Sequence, residues 1–246
     1  MARNHSHSNI QRKNQNTKKP QKILLYVEGR NTEPSYFELL KRSNCKVIPV
    51  TVPGQGIGSC VDFVNTAKKN HDSLSKDKRG KYKQIWIVFD CDGHKDFSDG
   101  VKLARELGFR VAFSNMCIEY WFMLHFYDHD GSPLPLKGNS HSKAQIDEIN
   151  KFIAQYNKCK NANVKLYDSE SKKVEEDFFD LMLAIDPITH NHRIVDACQR
   201  AMKIHLAKKR NGSEFSESAT TMYELMEELG TVRKDKDDKF ILNNKL

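Results

Sequence analysis

The chain has 246 residues, 38% hydrophobic and 29% charged, with a net charge of +8, enough length for one large domain or two small ones. No apolar run reaches the length of a membrane helix, and none follows the basic start as in a secretory signal, so a cytoplasmic location without membrane association is expected. Six cysteines without a CxxC pair argue against a disulfide framework or a structural zinc site.

Residues 1–21 are expected to be a disordered basic tail. Arg3, Arg12, Lys13, Lys18, Lys19 and the adjoining Lys22 hold most of the excess positive charge. Such an arm can bind nucleic acid electrostatically or simply keep the chain soluble. His5 and His7 are too isolated to argue for a metal site.

Residues 22–130 read as an α/β core. "KILLYV" (22–27) is a short apolar run and a buried strand. Residues 33–43 follow as a helix, with Pro34 in its first turn. "KVIPVTV" (46–52) is a second strand, which Pro49 places at an edge or a bend. "PGQGIGS" (53–59) is a loop that lacks the Lys-Ser/Thr ending of a P-loop. Residues 60–74 are amphipathic and helical, 84–90 form a third strand, 98–108 a helix closed by Gly108, and 109–114 a fourth strand. This alternation predicts a mostly parallel sheet flanked by helices. If the strands are neighbours, Glu28, Asp90 and Ser114 share one rim.

Residues 131–230 are expected to be a helical layer packed on that core. Residues 116–128 read as a strongly apolar helix that leads into it. Helical spacing recurs over 142–158, 174–185, 193–209 and 219–230. Residues 231–246, with the charge run 233–239, read as a polar tail.

Three segments carry candidate chemistry. In "IWIVFDCDGH" (85–94), Asp90 and Asp92 are two apart in an extended stretch, so their side chains point the same way. Two carboxylates that close repel, and a divalent cation removes the conflict. Oxygen donors favour Mg²⁺ or Mn²⁺ over zinc. A solvated turn is the plainer alternative. Glu28 ends the first strand, directly before Gly29, and has no obvious local role. Glu33 opens the next helix, where an acid complements the dipole, and Thr32 can serve as its cap. In "SNMCIEYWFMLHF" (114–126), Ser114 and Asn115 suit a strand-to-helix cap. The aromatic residues belong to the core, and a core role is also the plainer reading of His125.

Taken together, "LLYVEGRNTEPSYFELL", "IWIVFDCDGH" and "FSNMCIEYWFMLHF" resemble the RloB-like family of bacterial phage-resistance proteins. The matching positions are Glu28, Gly29, Thr32, Glu33, Tyr36 and Phe37, then Asp90 and Asp92, then Ser114, Asn115, Glu119, Trp121, His125 and Phe126. Met116 stands where a proline is usual and Ile118 where an aromatic is usual. The resemblance implies a Toprim-like fold, as in primases, topoisomerases and OLD-type nucleases. It further implies Glu28 as general acid/base or metal ligand, Asp90 and Asp92 as metal ligands and Glu119 as a further ligand. Glu33 and His125 join the candidates through the same blocks. A lysine of the helical half is also expected, with Lys158, Lys172 and Lys173 as the choices.

The implied activity is Mg²⁺- or Mn²⁺-dependent cleavage of DNA or RNA in anti-phage defence, beside an ATPase partner protein. Self-association is left open. Two other readings are weighed. "IVFDCDG" superficially resembles the nucleophile strand of haloacid-dehalogenase-like phosphatases. Alternatively, the chain is a non-catalytic nucleic-acid-binding or regulatory subunit of an ATPase-containing complex.

Overall fold

The computed structural model describes residues 22–43, 48–53, 58–91, 93–137 and 140–243. Expectations for the basic tail, for the start of the second strand, for most of the glycine loop and for Asp92 lie outside these residues.

Four strands run parallel: β1 (Lys22–Val27), β2 (Ile48–Pro53), β3 (Tyr82–Asp90) and β4 (Arg110–Asn115). The sheet order is β2-β1-β3-β4-β5, where β5 (Ala219–Thr220) joins antiparallel. Proline-containing β2 is at the edge, where a missing N–H breaks no ladder on the outer side. Helices α1 (Thr32–Arg42), α2 (Cys60–Ser73), α3 (Lys76–Arg79) and α4 (Phe97–Glu106) fall between the parallel strands. The sheet is covered on both faces, so Ile23–Val27 and Trp86–Phe89 are buried without interruption.

Side-chain alternation sorts those residues onto two cores. Leu24, Tyr26, Ile87 and Phe89 pack with Phe63 and Val64 of α2 and Val101 of α4. Ile23, Leu25, Val27, Trp86 and Val88 pack against Phe37 of α1 and against the C-terminal helices. Those helices are α5 (Ile118–Met123), α6 (Lys143–Lys160), α7 (Glu176–Leu183), α8 (Arg193–Arg210) and α9 (Met222–Leu229). The helical region thus shares a continuous core with the sheet rather than building its own. Among the described residues no helix is long and apolar enough to cross a membrane.

The structure departs from the sequence reading in several places. Asn31, not Thr32, precedes α1, and Thr32 is its first residue. Helix α5 has six residues, not thirteen. All six are buried, so no amphipathic stripe fixes its length, and it ends in tight i→i−3 bonds from His125 to Phe122 and Phe126 to Met123. Ser114 and Asn115 do not cap α5: Ser114 Oγ meets Thr220 Oγ1 at 2.9 Å, and Asn115 Nδ2 donates to the Phe215 carbonyl at 2.7 Å. Finally, the expected polar tail contains a hairpin of β6 (Val232–Lys234) and β7 (Phe240–Leu242). Val232 and Phe240 are buried, and the Asp235 carboxylate organises the turn by accepting from the amides of Asp237 and Lys239.

Candidate active site

In an open α/β sheet, a crevice forms beyond the carboxyl ends of two adjacent strands whose connections leave to opposite faces. β1 and β3 are such a pair. β1 leads to α1 on one face, and β3 leads to α4 on the other. Their register pairs Val27 with Val88, and the Glu28 amide continues the ladder by donating to the Val88 carbonyl at 3.0 Å. Asp90 pairs with Ser114 of β4. Two acids distant in sequence therefore end neighbouring strands at one rim.

A cleft of about 340 Å³ opens there. Glu28, Glu33, Asp90 and Glu119 supply carboxylates to its lining, and Arg30 and Lys172 supply cations. Glu33 and Glu119 are almost fully buried. The Glu33 carboxylate turns back over the start of its helix, where Oε1 accepts the Gly29 amide at 3.2 Å. A Cβ at Gly29 would fall 1.9 Å from Glu33 Oε2, so this close approach needs glycine. Glu33 therefore lines the cleft and also braces the turn that carries Glu28. Glu119 is held differently: the Tyr167 hydroxyl donates to its Oε1 at 3.2 Å. Burial and then the Glu119 charge push that hydroxyl well above the ordinary tyrosine value, so it stays protonated. The His94 imidazole lies 3.8 Å from Glu28 Oε1.

Other candidates stand elsewhere. His125 is buried with Nδ1 against the Trp121 carbonyl at 3.0 Å and its ring edge-on to Trp121. Burial pushes its pKa down to about 3, so it is neutral at physiological pH, and it is not among the cleft residues. Of the three lysines, Lys172 lines the cleft, Lys158 is exposed on α6, and Lys173 pairs with Glu175 at 3.2 Å. The start of α2, which follows the glycine loop, is already taken up by a carboxylate. Asp96 Oδ2 accepts from Ser59 Oγ at 2.7 Å and from the Val61 amide at 3.1 Å. These bonds outweigh burial and hold Asp96 below the usual carboxylate range.

The family model for RloB-like proteins matches residues 23–229, most of the chain. The chain belongs to the RloB-like family. Searches of curated proteins and of solved structures returned no match. Within this RloB-like chain, the matched span covers both the strand-end acids and the helical region that closes the cleft. The carboxylate lining is a hard-oxygen donor set suited in kind to Mg²⁺ or Mn²⁺. Among the described residues, no three His, Cys, Asp or Glu side chains already form a cage for an ion.

Sequence reasoning missed the wall opposite the strands. It comes from the loop 168–174, pinned by Thr32 Oγ1 to the Lys172 carbonyl at 2.8 Å, Asn31 Nδ2 to the Ser171 carbonyl at 3.1 Å and the Val174 amide to Ser35 Oγ at 2.9 Å. Glu170 and Lys172 reach the cleft from this loop. A loop has no hydrophobic period, and its partners are 140 residues away in the Thr32–Lys172 pair, so no local signal announces it.

Proposed function

We propose that this RloB-like protein is a Toprim-type, Mg²⁺- or Mn²⁺-dependent phosphodiesterase that cuts DNA or RNA in defence against phage, together with an ATPase partner. The observation that carries the reading is the meeting of Glu28 and Asp90 on one cleft, at the carboxyl ends of β1 and β3, with Glu119 beside them.

Phosphodiester cleavage needs charge stabilisation at phosphorus and an activated water, and a bound divalent cation supplies both when present. Asp90, Asp92 and Glu119 would hold that cation, with Glu28 as a further ligand or as the proton acceptor for water. Lys172 and Arg30 offset the negative lining and suit contacts to phosphate oxygens. The cation contacts carry no base information, in keeping with either nucleic acid.

The test is cleavage of labelled DNA and RNA by the purified protein with Mg²⁺ or Mn²⁺, with and without the partner ATPase. Cutting that requires the metal and disappears with EDTA and in Asp90→Ala supports the proposal. Cutting that survives both ends it. A second reading, a regulatory or nucleic-acid-binding subunit, draws on the lack of a ready three-ligand cage among the described residues. It predicts that Glu28→Ala and Asp90→Ala leave phage protection intact.

A further inference from the structure

The loop at 168–174 is tied to the cleft carboxylate Glu119 through the adjoining Tyr167. Both backbone groups of Tyr167 are fixed by one side chain of α6: its amide donates to Asn150 Oδ1 at 2.7 Å, and its carbonyl accepts from Asn150 Nδ2 at 3.0 Å. Its ring packs edge-on to Phe122 and tilted against Phe178. The residue is nearly inaccessible to solvent, so the hydroxyl is delivered to one place.

At that place the hydroxyl faces two acceptors, Glu119 Oε1 at 3.2 Å and the Lys172 carbonyl at 3.3 Å. A phenol has one proton. The charged acceptor is the stronger, so the carboxylate takes the bond, while Thr32 Oγ1 satisfies the Lys172 carbonyl at 2.8 Å. Lys172 itself has φ of +49°, a left-handed conformation that side chains other than glycine and asparagine avoid. Such a conformation persists only where surrounding contacts impose it. The Thr32–Lys172 and Asn31–Ser171 bonds are those contacts.

We propose that Tyr167 is a positioning residue whose hydroxyl anchors the Glu119 carboxylate to the loop that carries Lys172. The loop of the helical region thereby sets the distance between the acidic floor of the cleft and its cation. The inference rests on the cation-dependent reading of the cleft given above.

Mn²⁺ titrated into the full-length protein by calorimetry tests it, with the parent compared against Tyr167→Phe, Glu119→Gln and the double variant. Loss of an outer partner of a ligating carboxylate should weaken Mn²⁺ binding about tenfold in Tyr167→Phe. The double variant should bind no more weakly than Glu119→Gln alone, since the hydroxyl acts through that carboxylate. A purely structural tyrosine would lower the melting temperature and leave Mn²⁺ affinity unchanged, which overturns the inference. So does an equal loss in both backgrounds. A parent that binds no Mn²⁺ sinks the cation reading and this inference with it, whereas parental binding with an unchanged Tyr167→Phe sinks the inference alone. If Tyr167→Phe does not fold, Thr32→Val removes the donor to the Lys172 carbonyl and loosens the loop next to Tyr167. It should weaken Mn²⁺ about threefold, and parental affinity there would overturn the proposal.

Discussion

The two halves of the molecule build the cleft by different means. The strand half places Glu28 and Asp90 through sheet register: each acid follows a buried apolar run, and the hydrogen-bond ladder fixes where that run ends. The helical half places Glu170, Lys172 and Tyr167 on irregular backbone, held by single side-chain bonds to α1 and α6. Register is a cooperative property of many bonds, whereas the loop depends on a few. The difference teaches that the acidic floor of this cleft is set with the core, while the cationic wall can be changed without disturbing it.

The largest expected effect separates the halves directly. Asp90→Asn should reduce cleavage by at least about a hundredfold, and Lys172→Ala by about tenfold, in steady-state assays with Mg²⁺. Equal losses would show that the wall is as essential as the floor.

A second effect comes from His125, buried against Trp121 and Phe126. Its folded pKa of about 3 lies below the ordinary histidine value of 6.5. The unfolded chain therefore takes up a proton that the folded chain refuses between those values. The stabilisation is complete above pH 6.5 and falls by about 1.4 kcal/mol for each unit of pH lost down to about 3. Denaturant melts across that window should show a slope that His125→Phe reduces. A parental slope in that variant would contradict the assignment.

Smaller effects probe the local braces. Gly29→Ala puts a Cβ into the Glu33 carboxylate and should cost about 1–3 kcal/mol by thermal melting, with Mn²⁺ binding weakened through the displaced Glu28 turn. Unchanged stability would mean that Glu33 rotates away at no cost. Least of all, Lys172→Gly should relieve left-handed backbone strain and raise stability by less than about 1 kcal/mol, the gain being offset by chain entropy. A destabilised variant would show that the lysine side chain, not the surrounding contacts, holds the loop.

Legibility in the sequence followed the same division. The parallel strands and helices α1, α2 and α4 were readable because a strand buried on both faces is a continuous apolar run and each helix carries a stripe. Glu28 and Asp90 were readable as acids that end such runs. β5 was hidden because two residues, Ala219 and Thr220, cannot show a period and merge into the pattern of α9. The 232–242 hairpin was masked by charges that are its turn, and the length of α5 was masked by apolar residues on every side. Tyr167 and Lys172 acquire their roles only from tertiary bonds, and nothing local distinguishes Lys172 from Lys158 and Lys173.

The central claim is that Glu28 and Asp90 act together as a chemical site. It is tested most directly by phage protection in cells expressing the full system with Glu28→Gln or Asp90→Asn at parental protein levels. Each single variant should lose protection, and the double variant should be no worse than either. Plaque counts as low as the parent's in either single variant would contradict the account.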